Sequence, residues 1–265
     1  MTTPIRLPKR SPWVSQSMVL SALLKREMTS QFGRYALGFV WMIVEPLLSV
    51  IVLGVLVGAF LGKTVPEIPF AFFLLFGKML LGVFTGSMNS GMRSVGANQA
   101  LLVYPTVKLL DTFIARYLYE ILTSFCSFTL FCIVGMCLGV NISLAYLDVL
   151  MACYLITWLM GCGLGLIFAV SAAYFKEVEK IVKVASAPLM IISCVLLPLS
   201  SLPTYAQQYL LLNPLVHTIE LSRHAAFPHY TVDGPAMFYP LACAIVVLSV
   251  GLTLFHGNRH FLSQI

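Results

Sequence analysis

The chain has 265 residues, of which 59% are hydrophobic and 10% are charged, and its formal net charge is +6. A soluble globular chain carries about 25% charged residues, so this composition excludes an ordinary soluble enzyme and indicates an all-α membrane protein. The basic residues lie beside the apolar runs, where positive charge sets membrane topology, and we therefore expect no nucleic-acid partner.

The N-terminal segment, residues 1–36, is expected to be cytoplasmic and to contain an amphipathic helix over 13–35. Its apolar side consists of Leu20, Leu24, Met28, Phe32 and Tyr35. Its charged side consists of Arg26, Glu27 and Arg34. This pattern is typical of a helix that lies in the membrane surface, although a helix packed on a partner protein has the same pattern. The first long apolar stretch begins only near residue 37, so we expect an uncleaved anchor and no cleavable signal peptide.

Six membrane-spanning helices are predicted from the apolar runs that follow. A helix needs roughly 20 residues to cross a bilayer. Four longer stretches contain no Asp, Glu, Lys or Arg, namely 121–147, 149–175, 184–219 and 234–258. The predicted spans are 37–61, 69–89, 113–140, 145–174, 184–199 and 237–255. They form a transmembrane domain over 37–256, and a cytoplasmic tail over 257–265 follows.

The distribution of Lys and Arg predicts the orientation of these spans. If the N-terminus is cytoplasmic, only Lys63 and Arg223 fall in outer connections, and Lys78 lies within the second span. The remaining basic residues then fall on the inner side, as expected for cytoplasmic connections. Both termini are therefore predicted to be cytoplasmic.

Two connections between the spans are unusual. The cytoplasmic connection 93–112 is polar, contains Gly96 and Pro105, and is long for a helical hairpin. The outer connection, about 200–236, is too apolar for an ordinary exposed loop. It is interrupted by four prolines, Pro203, Pro214, Pro228 and Pro235. Re-entrant helices between spans five and six explain both properties, because irregular backbone at membrane depth must be covered by protein or line a water-filled cavity.

Two charged residues lie inside predicted spans. Glu45 precedes Pro46, which should kink the first span, and Lys78 lies in the second span. Their depths nearly coincide in a hydrocarbon core of about 30 Å. Intramembrane charges normally face protein or water, so we expect either a Glu45–Lys78 pair or two separate polar cavities.

Other charged residues are assigned to the ends of spans. Arg116 and Glu120 are four residues apart near the cytoplasmic start of the third span, and they are expected to form a local pair. Asp148 is expected to cap the outer start of the fourth span.

The sequence lacks the signatures of catalytic and metal sites. The seven cysteines all lie in apolar runs and are interpreted as packing residues. His217, Glu220 and His224 share one helical face, but a structural role is favoured over a metal site. The segment 58–64 resembles a phosphate-binding loop with one residue too few, so any ATP must be bound by another chain.

Four motifs point to one family. The first, around the amphipathic helix, is Arg26-Glu27, Phe32-Gly33-Arg34, Leu37-Gly38-Phe39-Val40-Trp41 and Glu45-Pro46. The second is Asn98-Gln99-Ala100-Leu101-Leu102-Val103-Tyr104-Pro105, and the third is Ala173-Tyr174-Phe175-Lys176-Glu177-Val178. The fourth is Asn213-Pro214, followed by Glu220 and Arg223. In order and spacing the chain resembles the membrane subunit of type 2 ABC exporters, in particular the KpsM-like subunits that export capsular polysaccharide. Members of that family often have Arg-Asp where this chain has Lys176-Glu177.

The resemblance implies a permease of the bacterial inner membrane that moves a lipid-linked capsular polysaccharide. Two copies form a channel, and two cytoplasmic ATPase subunits supply ATP and Mg, so no cofactor is expected on this chain. Periplasmic and outer-membrane export proteins are the further partners implied. The residues implied in ATPase coupling are Asn98, Leu101, Pro105, Lys176 and Glu177.

The resemblance also suggests gates for the cargo. The helix that carries Arg26, Glu27, Phe32 and Arg34 is expected to gate lateral access of the lipid end. The outer gate is expected at Asn213, Pro214, Glu220 and Arg223. Four tyrosines are expected either to stack on sugars or to form a membrane-interface belt, namely Tyr205, Tyr209, Tyr230 and Tyr239. Lys78 and Arg223 have the charge that suits an acidic polymer.

Two other functions remain open from the sequence. One is export of another amphiphile, such as a drug or a teichoic-acid-like polymer. The other is a membrane acyltransferase that uses His217 or His224 and needs no ATPase partner.

Overall fold

The computed structural model describes residues 12–32, 40–61, 69–98, 108–143, 145–231 and 233–262. These ranges contain helices and no strands. The helices are α1 (Pro12–Phe32), α2 (Trp41–Leu61), α3 (Phe70–Met92), α4 (Ser94–Asn98), α5 (Leu109–Cys137), α6 (Leu147–Tyr174), α7 (Glu177–Ile192), α8 (Thr204–Leu210), α9 (Pro214–Ala226) and α10 (Phe238–Leu262). A 3-10 turn, Leu199–Ser201, lies between α7 and α8.

Four of the described helices are long and apolar enough to cross a membrane, namely α3, α5, α6 and α10. In α3 and α6, 61% and 67% of the most apolar stretch is buried inside the protein, whereas the value is 22% for α5 and α10. The helices α3 and α6 therefore form the centre of the fold. The outer faces of α5 and α10 are left for lipid or for other chains.

Glycines of α6 determine how closely its neighbours approach. A Cβ atom at Gly161 would lie 2.6 Å from the backbone oxygen of Phe84 in α3. On the opposite side of α6, a Cβ atom at Gly163 would lie 2.7 Å from the backbone nitrogen of Leu248 in α10. Gly251 of α10 faces the same contact. Small residues allow helix backbones to approach in a membrane, where water does not drive association.

The helix α1 packs along the first half of α5. Gln16 donates a hydrogen bond to Asp111, and Glu27 forms an ion pair with Arg116 at 3.5 Å. The prediction that Glu27 lies on an exposed charged side of α1 is therefore wrong. Glu27 is buried toward α5, where Arg116 provides an oppositely charged partner. Trp13 is 85% exposed, so an apolar surface remains open. The predicted positions Arg34 and Tyr35 and the side chain of Phe32 lie outside the described part of the chain.

The predicted fifth span, 184–199, has the wrong bounds. The helix α7 covers Glu177–Ile192, 16 residues, and the chain leaves the helix at Ser193. Cys194 has a φ of 54°, in the left-handed region that usually requires glycine at a helix end. Its N–H donates to Ile191, and the N–H of Val195 donates to Met190, as in a Schellman motif. The end of α7 is thus set by a tight turn that the apolar run does not reveal.

The segment between α7 and α10, which was predicted to be the outer connection, contains the short helices α8 and α9. Pro203 immediately precedes α8, and Pro214 is the first residue of α9, where the missing N–H costs nothing. Most residues of α9 are buried. Asp148, the predicted cap of the fourth span, lies in the first turn of α6, and Tyr146 occupies the cap position. An acidic residue in the first turn still interacts favourably with the helix dipole.

Candidate functional site

A stripe of four small or polar residues runs along α3: Lys78, Gly82, Thr85 and Asn89. Their spacing of four, three and four places them on one side of the helix, over about 16 Å of its length. The same four residues line two cavities, one on each side of the stripe. We call the stripe together with both cavities the α3 groove.

The first cavity, here called the α5-side cavity, has a volume of about 460 Å³. Its wall comes from α2, α3 and α5 and carries carboxylates, hydroxyls and one ammonium group. The residues are Glu45, Ser49, Lys78, Met79, Gly82, Thr85, Gly86, Asn89, Glu120, Thr123, Ser124 and Ser127. So many polar side chains among apolar helices make this wall suitable for water or a polar cargo.

The second cavity, here called the α7-side cavity, has a volume of about 480 Å³ and lies between α3 and α7. The residues that it adds to the stripe are Leu81, Lys183, Ser186, Ala187 and Met190. Lys78 and Lys183 carry the charge of this wall. The two cavities therefore differ in charge although they share one helix face.

Glu45 and Lys78 line the same α5-side cavity. They do not form an ion pair, because the two ion pairs of the described residues are Glu27–Arg116 and Glu220–Arg223. Neither predicted arrangement is thus observed: the charges are not in direct contact, and they do not face separate cavities. A shared polar cavity places both groups away from lipid without direct contact between them.

The predicted local pair between Arg116 and Glu120 is also wrong. Glu120 accepts a hydrogen bond from the hydroxyl of Ser90 in α3, and Arg116 donates to the backbone oxygen of Ser90 at 3.3 Å. Arg116 points instead to Glu27 of α1. Glu120 fits against α3 because the facing residue is Gly86, where a Cβ atom would lie 2.7 Å from the carboxylate. A chain of polar contacts therefore connects α1 to the wall of the α5-side cavity.

Arg223 is completely buried in the half of the bundle where α3 begins. It donates at 2.9 Å to the backbone oxygens of Cys194 and Val195, which follow α7, and at 3.0 Å to Glu220. Its guanidinium also lies 3.5 Å from the ring centre of Phe73 in α3. The side chain thus joins α3, α9 and the end of α7, and it is not available to a cargo.

Glu220 is as deeply buried as Arg223 and is fully satisfied. It accepts from the N–H of Leu199 at 3.3 Å and from the phenol of Tyr230 at 2.6 Å. Burial, followed by the nearby Glu220 charge, raises the pKa of Tyr230 well above its ordinary value, so the phenol stays protonated and donates. Tyr230 is only 4% exposed, and the predicted sugar-stacking role is therefore wrong for it.

Asn213 and Pro214 fix the position of α9. The side-chain oxygen of Asn213 accepts from the N–H of Leu215 at 3.0 Å and caps α9. Its amide group donates to the hydroxyl of Ser193 at 3.1 Å, at the end of α7. These predicted gate residues therefore hold the start of α9 against the end of α7.

The two histidines of α9 are hydrogen-bonded to backbone. His217 contacts the oxygen of Leu211 through Nε2 at 2.8 Å and accepts from the N–H of Ala236 through Nδ1 at 2.9 Å. Nδ1 of His224 lies 2.7 Å from the oxygen of Tyr230. The two ring nitrogens of His217 are both engaged, which argues against a role as the base of an acyltransferase. The described residues contain no His, Cys, Asp and Glu cluster that could hold a metal ion.

The remaining predicted tyrosines are exposed at the protein surface. Tyr205 and Tyr209 share one face of α8 and are 70% and 74% exposed. Tyr239 is partly exposed and donates to the backbone oxygen of Leu212 at 2.8 Å. All three positions are compatible with either of the predicted roles.

The predicted coupling residues that are described lie at one end of the bundle. The helices α3 and α6 run in the same direction, since Gly161 faces Phe84 and Gly165 faces Ser87. Their C-terminal ends are therefore together, and α4 follows one while the exposed Lys176 and Glu177 follow the other. The side chain of Asn98 and residues Leu101 and Pro105 lie outside the described part of the chain.

A family model described as "ABC-2 type transporter" matches residues 18–227. The chain belongs to the ABC-2 type transporter family. The matched region begins within α1 and extends past the end of α9, so it includes every residue of the α3 groove.

Relatives of this ABC-2 family member extend over nearly all of the chain. It is 35% identical over 250 residues to the polysialic acid transport protein KpsM of Escherichia coli, which covers 94% of this chain and 97% of KpsM. It is 29% identical over 239 residues to the capsule polysaccharide export inner-membrane protein CtrC of Neisseria meningitidis serogroup A, with 90% of each covered. It is 28% identical over 240 residues to the inner-membrane protein BexB of Haemophilus influenzae, again with 90% of each covered.

Part of the α3 groove of this ABC-2 protein was missed by sequence reasoning. The stripe residues Gly82, Thr85 and Asn89 and the α7 residue Lys183 were not singled out. The spacing of the stripe was a visible signal, because these residues interrupt an otherwise apolar helix at helical intervals. Nothing in the sequence indicated that α7 would face the same stripe.

Proposed function

We propose that this chain is the membrane-spanning permease subunit of an ABC exporter that moves lipid-linked capsular polysaccharide across the bacterial inner membrane. The observation that carries the proposal is the α3 groove, a polar stripe on a central apolar helix with a cavity on either side. Lipid alone would oppose such a surface. The relatives named for capsule polysaccharide export support capsular polysaccharide as the class of cargo.

The proposed topology has six spans with both termini in the cytoplasm. In addition to the four long apolar helices, α2 serves as the first span and α7 as the fifth. Large apolar side chains on both support this assignment, among them Ile51 and Val55, which are 52% and 67% exposed, and Ile181 and Val184, which are 65% and 74% exposed. The short helices α8 and α9 are the re-entrant outer segment.

The active transporter is proposed to be a homodimer with two ATPase subunits. A second copy placed over the exposed sides of α2 and α7 would close the α3 groove into a channel. The ATPases would bind at the end that carries Lys176 and Glu177, and Asn98, Leu101 and Pro105 are proposed to contribute to this contact. They would use ATP and Mg, and the polymer would pass on to periplasmic and outer-membrane export proteins.

The two proposed gates differ in construction. At the cytoplasmic end, α1 is connected to the groove through Glu27, Arg116 and Ser90, so a shift of α1 can reach the cavity wall. At the outer end, Arg223 and Glu220 hold α9 against α3. We assign lateral access of the lipid to α1, and opening of the outer end to a movement of α9 as a unit.

The test is to delete the gene in its host and to locate the surface polysaccharide. Loss of the polymer from the surface with accumulation inside the cell, restored by the intact gene, is the expected result. An intact coat, or polymer that is absent everywhere, would contradict the proposal. Export of a drug or a teichoic-acid-like polymer would appear in the same strain as a change in that compound alone.

A further inference from the structure

The α7-side cavity has an unusual charge distribution. Lys78 and Lys183 both line it, and no Asp or Glu does. Neither lysine takes part in the ion pairs found among the described residues. Lys78 is the ninth residue of α3, so its Cα lies about 12 Å along a span. On the α7 side the wall presents two cations and no carboxylate, and such an arrangement at this depth indicates a binding function.

The other polar groups of this wall are already used as donors. The hydroxyl of Thr85 donates to the oxygen of Leu81 at 2.9 Å, and that of Ser186 donates to the oxygen of Val182 at 2.8 Å. The amide group of Asn89 donates to the oxygen of Thr85 at 2.7 Å. The two ammonium groups, together with the second N–H of the Asn89 amide, are therefore the donors of this wall that a ligand can use.

The two cavities of the α3 groove would treat an anion differently. The α5-side cavity contains Glu45 and Glu120, whose carboxylates oppose an anion and offset the charge of Lys78. The α7-side cavity combines two cations with apolar side chains such as Leu81 and Met190, which lower the local dielectric and strengthen charge interactions. An anionic group in the groove is thus favoured on the α7 side.

We propose that Lys78 and Lys183 form an anion-binding pair that recognises carboxylate or phosphate groups of the cargo and favours acidic over neutral glycans. The identity of the cargo as a glycan rests on the proposed function, whereas the anion site rests on the cavity itself. Its volume of about 480 Å³ is in the range of ligand pockets and holds part of an oligosaccharide. Lysine is a compact cation with three donors, which suits both carboxylate and phosphate.

Binding to the full-length protein in phosphatidylcholine nanodiscs tests the pair. The probes are an oligogalacturonate and a neutral maltooligosaccharide of the same length. We expect the acidic probe to bind more tightly, and Lys78→Gln and Lys183→Gln each to weaken it about tenfold. Lys78→Arg and Lys183→Arg should retain most of the binding. Lys180→Gln, an exposed α7 lysine outside the cavity, is the matched control and should bind as the wild type does.

Salt and lipid provide two further measurements. Added salt should weaken binding to the wild type more than to the double Gln variant, because exposed charges are screened over about 10 Å at 0.1 M. Phosphatidylglycerol in the nanodisc should compete with the acidic probe if the site takes a lipid phosphate. Its failure to compete would assign the site to carboxylates of the polymer.

The result that overturns the pair is acidic and neutral probes binding alike, or binding unchanged in both Gln variants. Thermal unfolding of each variant tests for a folding defect. None is expected, because neither lysine takes part in the ion pairs found among the described residues. The proposed function is tested separately. If gene deletion left the coat intact while lysine-dependent binding persisted, polysaccharide export would be wrong and the anion site would stand. If the intact gene restored export but binding did not depend on the lysines, polysaccharide export would stand and the anion site would be wrong.

Discussion

The α3 groove can be blocked at a single position without disturbing the fold. Gly82 belongs to the stripe shared by both cavities, and a Cβ atom built there meets no heavy atom within 4 Å. A larger side chain at Gly82 would therefore extend into open space. We predict that Gly82→Leu obstructs the groove and strongly reduces export.

Although Gly82→Leu should reduce export, it should not reduce the stability of the protein. Glycine in a helix interior costs about 1 kcal/mol relative to alanine, and leucine is nearly as favourable as alanine. Since a Cβ atom at this position has open space around it, Gly82→Leu should be neutral or stabilise the protein by up to about 1 kcal/mol. A loss of export could then not be attributed to unfolding.

The assay compares surface and intracellular polysaccharide in a deletion strain that expresses each variant at equal level. Gly257→Leu is the matched control, because Gly257 lies in α10 outside both cavities and also meets no atom within 4 Å. It should gain the same helix propensity and keep normal export. Thermal unfolding in detergent accompanies each measurement. Normal export by a stable Gly82→Leu protein would refute the assignment of the groove as the path.

Three further predictions concern the packing that surrounds the groove. Arg223→Met should destabilise the protein by about 3–5 kcal/mol, because it leaves Glu220 buried without a charge partner. In thermal unfolding, the double variant with Glu220→Gln should recover part of this loss. Gly161→Ala should lower the free energy of unfolding by about 1–3 kcal/mol, since its Cβ would lie 2.6 Å from the backbone of α3. An unchanged melting temperature would mean that α3 and α6 are farther apart. Glu27→Arg and Arg116→Glu should each reduce the free energy of unfolding by about 1 kcal/mol. In a double-mutant cycle, the variant that carries both swaps should regain this stability. Additive losses would show that α1 is not held by this pair.

Much of the helical architecture could be predicted because it depends on properties of single segments. The helices α3, α5, α6 and α10 coincide with predicted spans to within a few residues at most ends. The length of an apolar run and the backbone requirement of lipid are enough for this result. The prediction failed at the end of α7, where Cys194 adopts a left-handed conformation and its backbone oxygen accepts a hydrogen bond from Arg223 of α9.

The candidate site was predicted only in part. Glu45 and Lys78 were recognised as intramembrane charges, and both line the groove. Lys183 was not, because it lies near the charged start of α7 and resembles an ordinary interface residue. Predictions of which charged residues pair also failed. Arg116 forms its ion pair with Glu27 of α1 and not with Glu120, its neighbour on α5.

The sequence by itself determined that this chain is helical, enters the membrane and carries ionisable groups where lipid opposes them. Only the tertiary structure decided what those groups do. Lys78 and Arg223 are both cations within apolar surroundings, yet Arg223 is enclosed by three elements that accept its hydrogen bonds, whereas Lys78 faces two cavities. Helical periodicity fixes the side of its own helix on which a residue lies. It does not specify which neighbour packs against that side, and this packing separates a structural clamp from a binding surface.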